Sequence, residues 1–369
     1  MHMFILYQIG IIYFKRISRF VIYIQKITIM LRINASLFIF LILSFAGSAQ
    51  EEIPEQITIL YYNADHFFDI TDGPGNADDD YLPGSIKAWD ENRYVTKVNG
   101  IAEYITGAGD FKQPDIIGLC GIENKKVIND IISERRLRRA DYSVHITDSE
   151  GTNAALLAKK DLITVDDMRL INIDSTFLDL NSGFNYIILY ISGDVKGLGR
   201  CHFFINDWPG IENNTRAPEN LRIGAAIALR KNIDEILNFE RNAIIIIMGT
   251  FNDEPTNRSL MTVLNATNKR KNFDHRDLYN LFYDAHNIHD QGTAILNDTW
   301  QMWDQIIVSS SMINNRNDYH IDPWSAKIFI PKEINEESSK LVSTYRGDEY
   351  TGGISSHLPV YCIISKNEQ

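Results

Sequence analysis

The sequence contains little cysteine, little proline and fewer basic than acidic residues. Its three cysteines, among 369 residues, are an odd number and cannot form a closed disulfide framework. Each lies in an apolar run typical of a buried strand, so we interpret them as core thiols. With ten prolines, no low-complexity linker and 44% hydrophobic residues, a disordered or fibrous chain is excluded.

The chain has 36 basic and 48 acidic residues, and five of the basic residues lie in the first 49 positions, where there is no acid. The remainder therefore has 31 basic and 48 acidic residues, a net charge of −17. Such an acidic chain disfavours broad, non-specific binding of nucleic acid. A phosphate-bearing substrate would need a bound cation or a local cationic pocket.

The first fifty residues contain two apolar stretches of different kinds. Residues 30–49 have the order of a secretory signal peptide, with Arg32 in the charged region, an apolar run over 37–45 and a small-residue cleavage site at 47–49. We expect export to the periplasm or the medium, with no stable membrane insertion after cleavage. Residues 1–29, interrupted by four basic residues, are a doubtful N-terminal extension or, alternatively, an uncleaved anchor.

Short β-branched runs alternate with helical patterns from residue 57 to the C-terminus, which indicates a single α/β domain over 51–369. Strands are predicted at 57–62, 115–120, 154–158, 186–191, 202–206, 243–248, 305–309 and 360–364. Helices are predicted at 92–105, 125–136, 218–239, 259–264 and 278–285. Between them, the segment 69–84 is rich in glycine, proline and aspartate, and we interpret it as a solvated acidic loop rather than a cation site.

Polar residues stand at the ends of several predicted strands, where ligand sites of α/β sheets gather. They are Asn63, Glu123, Asp207, Asn252, Asp253, Asp304 and His357. Each has an ordinary explanation as a turn cap or a structural histidine. Their recurrence at equivalent positions nevertheless predicts a phosphate or metal site.

Five segments in chain order resemble the motifs of the endonuclease/exonuclease/phosphatase superfamily. They are LYYN at 60–63, DIIGLC at 115–120, MGTFNDEP at 248–255, WDQIIVS at 303–309 and GISSHLPV at 353–360. The chain is most similar to secreted bacterial members with a "GLCEVEN" second motif. The resemblance implies a four-layered α-β-β-α sandwich of the deoxyribonuclease I type, with its site in a cleft at one edge.

The resemblance also implies metal-assisted hydrolysis of a phosphoester, with Mg²⁺, or Mn²⁺ or Ca²⁺ in its place, as cofactor. It assigns catalytic positions to Asn252, Asp304 and His357. Substrate-binding positions fall on Asn63, Asn252 and, in a further family segment, Asn153.

Other family positions carry different residues here. Gly121 stands in place of the metal-ligating Glu, Asp207 in place of a His, Thr250 in place of the water-activating Asp and Ser356 in place of an Asp. Because losing a general base or acid typically reduces rates by about 10²–10⁴, we predict impaired catalysis and a binding role. The partner would then be an unknown protein or glycan.

The alternative is an active endonuclease or phosphodiesterase with a rearranged site, acting on nucleic acid or a small phosphodiester. In that hypothesis Glu123, with Asn63, binds the metal, because Glu123 lies two residues after Gly121 and would share its strand face. Asp207 would replace the missing imidazole.

Overall fold

The computed structural model describes residues 16, 19–32, 34, 53–73, 75, 77–109, 112–177, 186–212, 215–314, 317–332, 334 and 341–367. The chain divides into two units, Met1–Ile53 and Pro54–Gln369. In the first, residues 19–32 are helical, and most of the predicted signal peptide lies outside the described residues. No described helix is long and apolar enough to span a membrane.

The second unit contains two large sheets and several helices. Its strands are β1 (Gln56–Phe67), β2 (Ile116–Ile122), β3 (Tyr142–Ile146), β4 (Asn153–Lys159), β5 (Ile163–Leu170), β6 (Ile187–Val195), β7 (Gly199–Asp207), β8 (Ile211–Glu212), β9 (Thr215–Arg216), β10 (Ile244–Thr250), β11 (Ala266–Thr267), β12 (Leu278–Asn280), β13 (Ala294–Leu296), β14 (Thr299–Gln301), β15 (Asp304–Ser309), β16 (Tyr319–Ile321), β17 (Lys327–Ile328), β18 (Tyr345–Arg346), β19 (Glu349–Tyr350) and β20 (Val360–Lys366). Its α-helices are α1 (Glu91–Ala108), α2 (Lys125–Ser133), α3 (Glu219–Phe239) and α4 (Tyr283–Asn287).

Each large sheet has seven strands. The first runs β16-β20-β1-β2-β4-β3, with β17 also on β20, and the second runs β11-β12-β15-β10-β7-β6-β5. The strands of both sheets contribute side chains to one buried cluster between them, such as Tyr61 and Cys120 from the first and Phe203 and Met248 from the second. The sheets therefore pack face to face.

The helices cover the two outer faces. Apolar residues of α1 and α2 pack on the first sheet, and those of α3 pack on the second. Asn124 begins α2 by accepting hydrogen bonds from the backbone N–H groups of Lys126 and Val127 at 2.8 and 3.1 Å. The predicted four-layered α-β-β-α sandwich is confirmed.

All eight predicted strands lie within or overlap strands of the structure. The predicted helix at 278–285 is wrong in its first half, because Leu278–Asn280 forms β12 and pairs with Ser309–Ile307 of β15. Only Tyr283–Asn287 is helical there. The segment Arg258–Val263, predicted as an ordinary helix from 259, is a π-helical turn.

Candidate functional site

The candidate site is a cleft of about 520 Å³ to which strands of both sheets contribute. Asn63 of β1 belongs to the first sheet, and Asp207 and Thr250 end β7 and β10 of the second, where they face each other in the ladder. Asn252 and His357 reach the cleft from the loops that follow β10 and precede β20. The structure thus brings together four predicted site residues, Asn63, Asp207, Asn252 and His357.

A buried Asp–His pair stands at one side of the cleft. Nδ1 of His357 lies 2.7 Å from Oδ2 of Asp304, which is fully buried. Burial would lower the pKa of His357, but the charge and hydrogen bond of Asp304, with smaller contributions from Asp65 and Asp207, raise it to about 9. At neutral pH the imidazole is therefore cationic and can stabilise a negative charge.

Thr250 connects the Asp304–His357 pair by hydrogen bonds to Asn63 and Tyr61, and these side chains are called the floor of the cleft below. Its hydroxyl donates to Oδ1 of Asp304 at 2.6 Å and accepts from Nδ2 of Asn63 at 2.9 Å. Because the threonine has a single proton, the Tyr61 hydroxyl 2.8 Å away must donate to it. The Thr250 hydroxyl donates its hydrogen bond to Asp304. It therefore cannot act as a general base in place of the aspartate carboxylate that the family motif has at this position.

The rim formed by β1 and β2 has an unusual backbone. Gly121 has φ +70°, and Asp65 and His66 both have φ +52°, so three residues there are left-handed. A Cβ on Gly121 would lie 2.6 Å from Oδ1 of Asn63 and 2.9 Å from the backbone N of Asp65. A side chain at position 121 therefore needs both a strained backbone and a displaced neighbour.

Asp65 and Lys97 belong to the site and were not predicted from the sequence. Oδ2 of Asp65 accepts from the backbone N–H of Ser356 at 3.1 Å, next to His357. Nζ of Lys97 is buried and donates to the Asp65 carbonyl at 2.6 Å. Burial opposes ionisation of Asp65, but the His66 hydrogen bond and the positive charge of Lys97 hold its carboxyl pKa far below the ordinary value.

Burial lowers the pKa of Lys97 to about 8, against the attraction of Asp65. Two signals could have found this pair. Asp65 lies three residues after the predicted strand at 57–62, in the region where polar site residues gather. Lys97 is a charged residue next to Val98 on the apolar face of a predicted helix.

Asn252 lines the cleft in a left-handed conformation, and its Nδ2 donates to the Trp208 carbonyl at 2.7 Å. Its neighbour Asp253 is buried and lies 2.8 Å from Nε of Arg222, which is also buried. Asp253 is therefore one half of a structural ion pair, whereas Asn252 faces the ligand space.

Three predicted site residues lie outside the cleft lining, namely Asp304, which contacts His357 from beneath it, Asn153 and Glu123. Asn153 is buried, and its amide binds the carbonyls of Glu123 and Ser149 and accepts from Thr147, so it fixes the loop beside the cleft. Oε2 of Glu123 accepts from the backbone N–H of Asp69 at 2.6 Å. Burial, together with the charges of Asp69 and Asp78, raises the pKa of Glu123.

Three carboxylates of the acidic loop lie close together. Among the described residues, the one group of three or more potential metal ligands whose ligand atoms all lie within 4.8 Å of one another is Asp72, Asp78 and Asp79. The carboxylates that line the cleft are those of Asp65, Glu150 and Asp207, whereas Gly121 and Thr250 have none at the two positions where the resemblance places one. Gly121 and Thr250 therefore do not fit the Mg²⁺ site that the resemblance implies, and no catalytic step is assigned to that ion here.

No curated protein matches the chain. Among solved structures, a humanized D. rerio TDP2 shares 12% identity over 85% of this chain and all of its own, with a TM-score of 0.52. An endonuclease/exonuclease/phosphatase family protein from Bacteroides thetaiotaomicron shares 14% identity over 86% of this chain and all of its own, also with a TM-score of 0.52. The mannosyl-6-phosphatase Bt3783 of that organism shares 15% identity over 84% and 99%, with a TM-score of 0.50.

These similarities concern the fold. The family itself follows from a match of residues 58–366 to the model described as "Endonuclease/Exonuclease/phosphatase family", which spans nearly the whole second unit. The predicted resemblance is confirmed. The chain belongs to the endonuclease/exonuclease/phosphatase family, a superfamily of metal-dependent phosphoester hydrolases.

Proposed function

We propose that this protein is an exported family member whose cleft binds a phosphoester and whose metal-assisted hydrolysis is impaired. The observation that carries the proposal is the left-handed Gly121, beside which Asn63 and Asp65 already occupy the space a larger side chain needs. A carboxylate that binds Mg²⁺ cannot project from this position without rebuilding the rim.

Binding is supported by the opposite side of the cleft. His357 is cationic at neutral pH, and the buried Asp304 fixes its Nδ1, which leaves Nε2 as the second donor of the ring. One D. rerio TDP2 structure is described as a complex with single-strand DNA product, which supports a phosphoester as the class of ligand. Export, and a protein or glycan partner of an inactive form, stay predictions.

A second candidate is an active phosphodiesterase with a rearranged site. The intact Asp304–His357 pair favours it, and Asp207 lines the same cleft. Glu123 contributes less than the sequence suggested, because its carboxylate is turned toward Asp69.

The test is hydrolysis of bis-p-nitrophenyl phosphate and of plasmid DNA with Mg²⁺, Mn²⁺ or Ca²⁺, each with an EDTA control. Binding of non-hydrolysed thymidine 5′-phosphorothioate is measured in parallel by calorimetry. We expect binding that His357→Gln weakens, with no metal-dependent turnover. Turnover that EDTA abolishes and that Asn252→Ala and His357→Ala remove would establish the second candidate instead. A folded protein with neither binding nor turnover would contradict both.

A further inference from the structure

A second cavity, separate from the cleft, has the features of a ligand site. It has a volume of about 430 Å³, within the range of roughly 300–1,000 Å³ usual for small-molecule sites. Three aromatic residues, Tyr279, Trp300 and Trp324, line it. The adjacent residues Leu358 and His357 divide the two spaces, since Leu358 lines this cavity and His357 lines the cleft.

Local hydrogen bonds position the backbone of both tryptophans. Trp324 lies in the short turn that follows Asp322, whose Oδ1 accepts from the Trp324 backbone N–H at 2.9 Å. Trp300 lies on β14, opposite Ile295 of β13. Trp324 is 58% exposed, and the guanidinium carbon of Arg270 lies 4.8 Å from its ring centroid, so a ligand can stack only on the ring face that Arg270 leaves free.

The lysine, arginine and aspartate side chains of the cavity balance in charge. Arg270 and Lys327 supply two positive charges and Asp284 and Asp290 two negative ones, and Arg270 and Asp284 form an ion pair at 2.6 Å. Arg270 also donates to the Tyr279 hydroxyl at 3.0 Å, which leaves the hydroxyl proton for another acceptor. Donors and acceptors thus surround the aromatic rings without a net charge, which suits a neutral ligand rich in hydroxyl groups.

We propose that this cavity binds a saccharide, with the C–H face of a pyranose ring stacked on Trp300 or on the face of Trp324 opposite Arg270, and with its hydroxyls bonded to the charged side chains. The balanced charge argues against an anionic nucleotide. The inference does not depend on the proposed function of the cleft, because the two spaces have different lining residues.

The experiment uses ¹⁹F NMR of the protein labelled with 5-fluorotryptophan, since the chain has only five tryptophans. The resonances are assigned with Trp→Phe variants. Methyl α-D-mannoside, methyl β-D-glucoside, methyl β-D-galactoside and N-acetylglucosamine are titrated separately. Adenosine is a probe for base stacking.

We expect at least one saccharide to shift the Trp324 and Trp300 resonances saturably, with a Kd of about 1 mM or tighter. Trp208 and Trp303 line the cleft and are internal controls. Calorimetry should show at least a tenfold loss of affinity, about 1.4 kcal/mol, in Trp324→Ala. Phe239→Ala, which removes an aromatic ring that is 95% exposed on α3, should leave the affinity unchanged.

The absence of a shift with all four saccharides would overturn the proposal. Shifts confined to Trp208 and Trp303 would place the saccharide in the cleft and would overturn it as well. Shifts with adenosine alone would replace the saccharide with a nucleobase. The titration itself uses the unsubstituted protein, and the Trp→Phe variants used for assignment keep an aromatic ring at each position. A misfolded Trp324→Ala would therefore not rescue a negative result.

Discussion

The two sides of the cleft differ in how completely they are built. On the side of β15, a buried aspartate holds a cationic histidine, and each oxygen of the carboxylate accepts a hydrogen bond. On the side of β1 and β2, three residues are left-handed and position 121 has no side chain. The β15 side of the cleft thus has a buried ion pair, whereas the side of β1 and β2 has left-handed backbone, the Asn63 amide and the Asp65 carboxylate.

This difference shows that the fold does not depend on a carboxylate at position 121. The β-sandwich and the Asp304–His357 pair are stabilised by burial and hydrogen bonding, which need no metal ion. A metal ligand, in contrast, contributes to stability only when the ion is bound.

We expect the largest effect from Asp304→Asn, which disrupts the Asp304–His357 pair on the β15 side of the cleft. The change removes the charge that faces His357 and leaves one buried partner mismatched, so the free energy of unfolding should fall by about 3–5 kcal/mol at pH 7. Urea denaturation measures it. Asp298→Asn, in an exposed turn, is the control and should change stability little. A loss under about 1 kcal/mol for Asp304→Asn would mean that the pair is not formed.

The pH dependence of stability isolates the histidine. The pKa of His357 is raised from 6.5 to about 9, so its contribution is fully present below pH 6.5 and is lost as the pH rises through 9. The loss amounts to about 3 kcal/mol. We expect the difference in unfolding free energy between the wild type and His357→Gln to shrink over this interval.

Lys97, whose pKa is lowered to about 8, changes the unfolding free energy with pH in the opposite direction. Because Lys97 is present in both proteins, its contribution largely cancels in the difference between the wild type and His357→Gln. Chemical denaturation at pH 6, 7.5 and 9.5 provides the data. A pH-independent difference would contradict the charged state assigned to His357.

Gly121→Ala tests the side of the cleft formed by β1 and β2, with Gly199→Ala as a matched control. Both glycines have positive φ, +70° and +79°, but a Cβ on Gly199 would meet no atom within 4 Å. The control should cost about 1 kcal/mol of unfolding free energy from backbone strain alone. Gly121→Ala should cost about 2–3 kcal/mol, because the displacement of Asn63 and Asp65 adds to the strain. Equal losses would show that the rim can accept a side chain.

The smallest effect is expected for Glu123→Gln. The glutamine oxygen can still accept from Asp69 N–H, and repulsion from the neighbouring Asp69 and Asp78 is relieved. Stability should change by no more than about 0.5 kcal/mol, and turnover and Mg²⁺ affinity should not change. Calorimetric titration with Mg²⁺ checks this. A reduced affinity would restore Glu123 as a metal ligand.

The sequence predicted the central strands well because their apolar runs are buried on both faces. It missed β3 and the β5 edge strand, whose residues alternate or are largely exposed and so lack a continuous apolar run. It misread Leu278–Asn280, where three residues are too few to show whether the apolar spacing repeats every two or every 3.6 positions.

The sequence predicted only some of the cleft residues. The sequence predicted four cleft residues because they lie at or beside strand ends, where ligand sites of α/β sheets gather. They are Asn63, Asp207, Asn252 and His357. Glu123 was expected on the face of Gly121 if β2 continued as a regular strand. The left-handed Gly121 and the register shift after Leu119 break that periodicity, and neither is encoded in residue spacing.

The hydroxyl of Thr250 also has a mechanical consequence. It ties Asn63 and Tyr61 of one sheet to Asp304 of the other through three hydrogen bonds. The sheets cannot slide past each other at this end without breaking a buried polar bridge, whereas apolar contacts alone would permit small shifts. The floor of the cleft is therefore a rigid contact between the two sheets. Adaptation to ligands of different width must come from the surrounding loops.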